Sequence, residues 1–358
     1  METANAVILD VGSLTTKLGF NQIGKRHPDH VFPTDILTDT PSASIVDSGT
    51  ICNWDEAEKL IKWAYKEKLK ASTNDFPLLM SEVAGCSRES RKDSLERVFE
   101  GIDVPAFHLS SQGLLALYSV GRASGVVIES GYGASHAVAF HEGHATGYGI
   151  VKMTATGCNL TKTTQKLVSD ILNGSGNRTE CDIMLARNVK EKYGQVAPDG
   201  KCSIAEQQDG SSSTLLFEHG DLRIKIRNPA IIGEPLFTLP NFYIRQSVGF
   251  HQAVESCING ADEESDYTQL FYENVLLSGG NTLFPGLTSR LEFELNKLVV
   301  KEGLAKANVI TPAYRAYCCW IGGSVIASMP TFKPHWISKS DYQEYGGNIF
   351  QRKCLHLY

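Results

Sequence analysis

Two carboxylates, each followed by a turn of small residues, are the side chains of this sequence best suited to chemistry. Asp10 ends the apolar run 6–9, and Glu129 ends the apolar run 125–128. The turns that follow contain Gly and Ser, whose backbone N–H groups can converge on an anion such as a phosphate. A carboxylate at the end of a strand suits the divalent cation that accompanies a phosphate. The pattern therefore predicts a phosphate and metal site at the ends of two strands.

The recurrence of this pattern carries more weight than either copy. Each copy continues into a second run, 17–20 in the first and 135–138 in the second, which predicts a strand that returns as a hairpin. Taken alone, a short Gly motif is more typical of an ordinary buried hairpin. Because strand, acid and glycine follow in the same order in both halves, the sequence indicates two related lobes that face a nucleotide from opposite sides.

Length and composition restrict the class of protein. The chain has 358 residues, which predicts about two domains, and its 42% hydrophobic and 21% charged residues are typical of a soluble protein. The net charge of −6 disfavours a nucleic-acid-binding surface. None of the nine cysteines has CxxC or zinc-finger spacing, which favours buried reduced thiols in a cytosolic or nuclear protein. We expect neither a signal peptide nor a membrane span, because no run approaches ~20 apolar residues.

Alternating helices and strands must position the two turns. Asn53 is expected to cap a helix with an apolar stripe. Further helices are predicted over 88–99, 110–121, 156–172 and 180–192, and from about 286 and 320 onward. Further strands are predicted at 76–80, 106–109, 222–226 and 274–277. This alternation predicts an α/β fold with mixed sheets flanked by helices.

Motifs in a fixed order over nearly the whole chain resemble those of the actin family. The two hairpins resemble the family's two phosphate-binding loops, and the stretch 278–286 (SGGNTLFPG) resembles its adenosine-binding turn. Further matching segments are 53–55, Gln112 with 115–118, 190–192, 320–324, 336–339 and 352–354. The resemblance implies the two-lobed ATPase fold shared with sugar kinases and heat-shock chaperones, with a central nucleotide cleft.

The resemblance also implies how the chain divides between the lobes. Residues 1–33, 47–119 and 318–358 would form the base of the outer lobe, with 34–46 as a short remnant loop in place of a small subdomain. Residues 120–155 and 247–317 would form the base of the inner lobe, and 156–246 its cap.

ATP or ADP with Mg²⁺ are the cofactors that the resemblance implies. Asp10 and Glu129 would hold the metal through water, and Gln112 would orient the attacking water beside His136, a proton-relay neighbour. The phosphates would be contacted by Gly12, Ser13, Lys17, Ser130 and Gly133. The adenosine would be enclosed by Gly157, Lys190, Glu191, Gly279, Gly280, Phe284 and Tyr317. Without the resemblance, Lys190 and Glu191 are more typical of a solvated helix face, and His136 of a structural histidine.

Three residues depart from the family pattern at the predicted site. Glu129 stands where the family usually has Asp, and its extra methylene displaces the carboxylate oxygens by about one bond length. Tyr132 replaces a second Asp, which removes a charge near the metal, and Ala316 replaces a usual Lys near the base. We therefore expect nucleotide binding to persist and hydrolysis, if any, to be slow.

The filament contacts of the family depart as well. Between Pro33 and Asn53 the chain has only a short polar loop, where conventional actin has a small extra subdomain. Losing that face removes one set of longitudinal contacts, so growth is blocked from one end while capping through the other face stays open. Glu2 is the only acid before Asp10, which argues against binding myosin through an acidic N-terminus. The tail 355–358 is an apolar extension available to a partner.

These observations leave four functions to compare. The favoured one is an actin-related protein that binds ATP or ADP as a largely structural cofactor within a multisubunit cytoskeletal, axonemal or nuclear complex. Its partners would include actin or other actin-related proteins, and its location would be the cytoplasm and cytoskeleton, or the nucleus. The alternatives are a polymerising actin-like ATPase or a filament-end-capping subunit of a dynactin-like complex. A small-molecule kinase of the same superfamily is disfavoured because no carboxylate motif for an acceptor hydroxyl is found.

Overall fold

The computed structural model describes residues 5–38, 44–174, 181–200, 214–219, 222–238, 248–262 and 266–354. The expectations about the N-terminal acids and about the tail 355–358 lie outside these residues. Within the described ranges, no helix has both the length and the apolar character needed to cross a membrane.

Strands and helices alternate along the chain, as the sequence predicts. The strands are β1 Val7–Val11, β2 Thr15–Phe20, β3 His30–Pro33, β4 Val46–Asp47, β5 Thr50–Ile51, β6 Leu78–Glu82, β7 Ala106–Ser111, β8 Gly125–Ser130, β9 Ser135–His141, β10 His144–Met153, β11 Thr214–His219, β12 Leu222–Arg227, β13 Val275–Ser278, β14 Val309–Ile310 and β15 Ile337–Ser338. The helices are α1 Trp54–Trp63, α2 Arg88–Glu96, α3 Gln112–Ser119, α4 Gly157–Gly174, α5 Ile183–Tyr193, α6 Phe250–Ala261, α7 Thr268–Tyr272, α8 Leu287–Glu302, α9 Cys318–Ala327, α10 Lys339–Tyr345 and α11 Phe350–Lys353.

The first sheet has the strand order β15-β7-β6-β1-β2-β3. Strands β1, β6 and β7 run parallel, whereas β1–β2 and β2–β3 pair antiparallel. The strands bury apolar side chains such as Leu9 and Phe107 against residues of the flanking helical segments, including Leu60 and Phe99. Strand β1 is therefore central, and the carboxyl end that carries Asp10 opens toward the middle of the molecule.

The second sheet repeats this arrangement with the order β10-β9-β8-β13-β14. Strands β8 and β13 are parallel, and β8–β9 and β9–β10 are antiparallel. Its core includes Phe250 of α6 and Leu291 of α8, which are both fully buried. Both sheets thus contain an antiparallel hairpin beside a parallel strand, which is the repeat that the sequence indicates.

Helices α3 and α9 lie between the two sheets. Gly113 of α3 packs on Phe140 of the second sheet, whereas Trp320 of α9 donates from Nε1 to the carbonyl of Ile8 in the first sheet, at 3.1 Å. The two helices cross so closely that a Cβ on Gly322 would overlap the backbone of Leu115. The glycine at this crossing therefore lets α9 pack directly against the backbone of α3.

The segment between β3 and α1 is short, as expected. Its described residues, 34–38 and 44–53, contain only the two-stranded hairpin β4–β5. Asn53 caps α1, since its Oδ1 accepts a hydrogen bond from the N–H of Glu56 at 3.2 Å. The chain thus passes from the first sheet to α1 without forming another sheet of its own in these residues.

Candidate functional site

The two hairpins have matching backbones. In the first, Asp10 pairs across the strands with Lys17. In the second, Glu129 pairs with His136. Val11 pairs with Thr16, and Ser130 pairs with Ser135, so each hairpin closes over four residues. We call them the first loop (12–15, whose last residue also begins β2) and the second loop (131–134). In both, the first residue donates its N–H to the carbonyl of the fourth, at 3.2 and 2.8 Å. Ser13 and Tyr132 therefore occupy equivalent positions.

The first hairpin carries a buried ion pair. Nζ of Lys17 lies 3.0 Å from Oδ2 of Asp10, whose Oδ1 accepts hydrogen bonds from Ser81 at 2.7 Å and Gln112 at 3.1 Å. Burial raises the pKa of Asp10, but the charge of Lys17 and these hydrogen bonds outweigh it and lower the pKa below its usual value. The same pair raises the pKa of Lys17 despite burial. Both groups are thus charged at neutral pH.

The second hairpin carries no such pair. Burial raises the pKa of Glu129 to about 7, with the negative charge of Asp10 adding to the shift. Burial, helped by the charge of Lys152, lowers the pKa of His136 to about 4, so this histidine is neutral at pH 7. Oε1 of Glu129 lies 2.7 Å from Sγ of Cys319, at the start of α9. At pH 7 the first hairpin is therefore fully ionised, whereas in the second Glu129 is about half protonated and His136 is neutral.

Both loops line the same cavity, which has a volume of about 480 Å³. A Cβ on Gly133 would overlap the side chain of Ser13, so the loops are in direct contact. The predicted residues that line the cavity are Asp10, Gly12, Ser13, Lys17, Gln112, Glu129, Gly133, His136, Lys190, Glu191, Gly279, Gly280, Phe284 and Tyr317. The volume falls within the range of roughly 300–1,000 Å³ typical of small-molecule sites.

Ser130 and Gly157, which were predicted to contact the ligand, are not among the residues that line this cavity. The Ser130 side chain is fully buried, and its hydroxyl bonds to Ser135 at 2.8 Å and accepts from Asn281 at 3.0 Å. Gly157 instead donates its N–H to the carbonyl of Gly131, at 2.9 Å. Both residues therefore stabilise the second loop through hydrogen bonds and do not line the cavity.

Helix α5 forms the side of the cavity away from the first loop. Lys190 is 4% exposed, donates to the carbonyl of Gly157 at 3.1 Å, and lies 5.6 Å from the ring centre of Tyr132. Burial lowers the pKa of Lys190 to about 8. Glu191 is half exposed and bonds Arg187 at 2.8 Å. Lys190 is therefore part of the cavity wall, while Glu191 belongs to its solvated rim.

Several lining residues had no assigned role from the sequence: Thr15, Arg187, Asn281 and Cys319. Asn281 is the most informative, because its Nδ2 donates both to Ser130 and to the carbonyl of Gly131, at 3.0 and 2.7 Å. It ties the turn after β13 to the second loop. Its position within the SGGN motif was the available signal.

The polar groups around the first loop fit a phosphate with Mg²⁺. Among the residues that the structure describes, no group of three or more His, Cys, Asp or Glu side chains is arranged to hold a metal alone. Magnesium in nucleotide sites needs no such cage, since it keeps several waters and takes one or two carboxylates with phosphate oxygens. Asp10 would supply the carboxylate, and Lys17 with the loop amides would face the phosphates. Glu129, held by Cys319, fits the metal less well.

The chain matches a known protein family. The family model described as actin matches residues 1–355, which is nearly the whole chain. The match covers both hairpins, the helix pair between the sheets and the cavity wall.

Proposed function

The chain belongs to the actin family, and from that premise we propose that it binds ATP or ADP with Mg²⁺ as a largely structural cofactor. The actin family generally binds these ligands, and the chain has the family's α/β fold with two sheet-rich lobes. A ligand that binds only the folded state stabilises it by mass action, so a nucleotide can hold the lobes together without being turned over.

The contrast between the two hairpins is the observation that carries this proposal. The ionised Asp10–Lys17 pair supports phosphate and metal binding by the first loop. The second hairpin offers Glu129, whose pKa is about 7, and the ring of Tyr132. Hydrolysis of a phosphoanhydride depends on positioning and on stabilising charge. A carboxyl that is about half protonated at pH 7 and is hydrogen-bonded by a thiol therefore favours retention of nucleotide over its rapid hydrolysis.

Individual residues of the chain have distinct roles in this proposal. Bound Mg²⁺ would neutralise the charge of the phosphate oxygens. Asp10 would orient a metal-bound water, and Lys17 would bind phosphate as a point charge. Gln112 is fixed by its bond to Asp10, which points its amide into the cavity beside the expected attacking water. His136 is neutral at pH 7 and can accept a proton from that water, but burial and the charge of Lys152 lower its pKa to about 4 and so make it a weak base.

We place the protein in a larger assembly rather than in a conventional filament of its own. The described residues between β3 and α1 form only the hairpin β4–β5, which supports loss of one longitudinal face. A family member that keeps only its other longitudinal face is suited to act as a subunit of a complex. That complex would be cytoskeletal, axonemal or nuclear, and would lie in the cytoplasm or nucleus. End capping in a dynactin-like complex is the variant of this proposal in which that face binds the last subunit of a filament.

Nucleotide extraction tests the cofactor proposal directly. Protein purified gently in Mg²⁺ buffer is denatured, and the released bases are quantified by chromatography. We expect close to one adenine nucleotide per chain. A chain that is folded but free of nucleotide would reject the proposal.

Sedimentation and co-purification test the assembly proposal. With ATP and Mg²⁺ the protein should stay in the supernatant under conditions in which conventional actin pellets. From native cells it should co-purify with defined subunits in fixed ratio. Self-assembly into long polymers would contradict the absence of conventional filaments.

A further inference from the structure

Cys319 occupies a position that the roles given above leave unexplained. It is the second residue of α9, it lines the cavity, and it is 6% exposed. Its Sγ lies 2.7 Å from Oε1 of Glu129, at the end of β8. Because Glu129 belongs to the second sheet and α9 is anchored to the first, this contact joins the two lobes below the second loop.

The surroundings of Cys319 leave it little freedom to move. The next residue, Trp320, is fully buried and bonds to Ile8 at 3.1 Å. Gly322 lies directly against the backbone of Leu115. The thiol therefore has a fixed position, and the carboxyl of Glu129, which already lines the cavity, can extend further into it only by leaving the thiol.

The carboxyl also contacts a hydroxyl beside the thiol. Ser278, the neighbour of Glu129 in the parallel strand β13, is 1% exposed and interacts with the carboxyl, and its Oγ lies 3.9 Å from Sγ of Cys319. A thiol and a hydroxyl that are both buried thus together hold the carboxyl. Asp10, in contrast, is held by Lys17 and by hydrogen bonds from within the first lobe.

We propose that Cys319 is a positioning residue that holds the Glu129 carboxyl against α9 and so keeps it away from the water shell of a bound Mg²⁺. The consequence for the metal rests on the proposed function, whereas the contact itself does not. The Glu129 side chain is one methylene longer than that of an aspartate, and this extra length brings its carboxyl to the Cys319 thiol. Slow hydrolysis then follows from the position in which the carboxyl is held as well as from the replacement of Asp by Glu.

Infrared spectroscopy tests the contact in the protein as purified. The S–H stretching band of Cys319 is identified by its loss in Cys319→Val. We expect Glu129→Met, which removes the nearer acceptor, to shift that band toward the frequency of a weakly bonded thiol, because the carbonyl of Gln112 at 3.5 Å is the remaining acceptor. Cys318→Val, a matched change at the adjacent residue, should leave the band in place. A band that Glu129→Met does not shift would overturn the proposal.

Magnesium affinity tests the consequence. In protein loaded with a fluorescent ATP analogue, Cys319→Val should bind Mg²⁺ about fivefold more tightly, as expected when one modest hydrogen bond no longer restrains the carboxyl. Cys319→Ser keeps a donor and should stay within about twofold of the parent, as should Cys318→Val. In a Glu129→Asp background, Cys319→Val should have no further effect, because the shorter acid falls short of residue 319.

The two proposals fail in different ways. A parent protein that binds no nucleotide but shows the Glu129-dependent S–H shift would reject the cofactor role and support the contact. Nucleotide binding with equal Mg²⁺ affinity in the parent and in Cys319→Val would reject the positioning role and leave the cofactor role standing.

Discussion

The two hairpin loops share a backbone and differ in charge. Each joins two antiparallel strands through the same four-residue turn, yet Asp10 faces a lysine, and Glu129 faces a histidine whose pKa is about 4. The first hairpin carries an ion pair, whereas the second carries a neutral histidine and a half-protonated carboxyl that is hydrogen-bonded by a thiol. In the proposed function, the first hairpin supplies the charged groups that bind phosphate. The second hairpin lacks the fixed charge that would promote cleavage of the phosphate.

The largest effect is expected from removing the cation of the first hairpin, Lys17. Lys17→Met leaves the buried Asp10 without its partner, so the free energy of unfolding should fall by about 3 kcal/mol, as for other broken buried pairs. Nucleotide binding should be lost as well. Urea denaturation with and without ATP measures both effects.

The second hairpin provides the matched control for that prediction. His136→Met, at the equivalent position, leaves no charge unpaired and should cost about 1 kcal/mol. Asp10→Asn combined with Lys17→Met should recover much of the lost stability. Equal losses for Lys17→Met and His136→Met would show that the loops do not differ in the way described.

The contact between the loops should give the next largest effect. Gly133→Ala places a methyl group on the side chain of Ser13, so we expect a loss of about 2 kcal/mol from overpacking and weaker nucleotide binding. Ser13→Gly in the same chain should relieve the clash and restore stability. Thermal unfolding of the three variants measures this, and a Gly133→Ala protein as stable as the parent would mean that the loops do not touch.

Much of this arrangement follows from the sequence, because it depends on local patterns. The paired hairpins, the cap at Asn53 and the helix–strand alternation all come from runs of neighbouring residues. The predicted helix 180–192 begins instead at Ile183, since Asp182 accepts a bond from the N–H of Leu185 at 2.7 Å and caps it. That capping aspartate was a visible signal.

The role of Ser130 could have been predicted differently from strand geometry. Successive side chains of a strand point to opposite faces. If Glu129 faces the cavity, then Ser130 must turn away from it, as the structure shows. The contact between Glu129 and Cys319 could not be foreseen, because it joins residues 190 positions apart and depends on how α9 packs between the sheets.

The pH dependence of stability should separate the two hairpins more finely. The pKa of Glu129 is raised from 4.5 to about 7, so the folded state holds a proton that the unfolded state releases. Stability from this group is complete below pH 4.5 and is lost as the pH rises through 7. Relative to Glu129→Gln, the parent should lose about 2 kcal/mol over that window in nucleotide-free buffer with EDTA.

His136 should act with the opposite sign in the same window. Its pKa is lowered from 6.5 to about 4, so its contribution is present above pH 6.5 and is lost as the pH falls through 4. In Glu129→Gln, the free energy of unfolding should therefore decrease as the pH falls from 6.5 to 4, because the contribution of His136 is no longer offset by that of Glu129. A difference between parent and Glu129→Gln that does not change between pH 4.5 and 7 would argue that Glu129 is ionised throughout.

The smallest effect is expected from the ring of Tyr132. Tyr132→Ser gives the second loop the residue of the first at the equivalent position and removes the contact with Lys190, 5.6 Å from the ring centre. We expect a loss of about 1 kcal/mol, with a coupling to Lys190→Met of about 0.5 kcal/mol in a double-mutant cycle. A coupling of zero would show that the ring and the ammonium act independently.

Phosphate release by the protein tests the central claim most directly. The parent, loaded with ATP and Mg²⁺, should hold its nucleotide and release phosphate slowly. The double variant Glu129→Asp, Tyr132→Asp shortens one carboxylate of the second hairpin and adds another, and it should release phosphate faster, at similar nucleotide affinity. A parent protein whose turnover equals that of filament-forming actin, with no gain in the double variant, would contradict the proposal that the second loop limits hydrolysis.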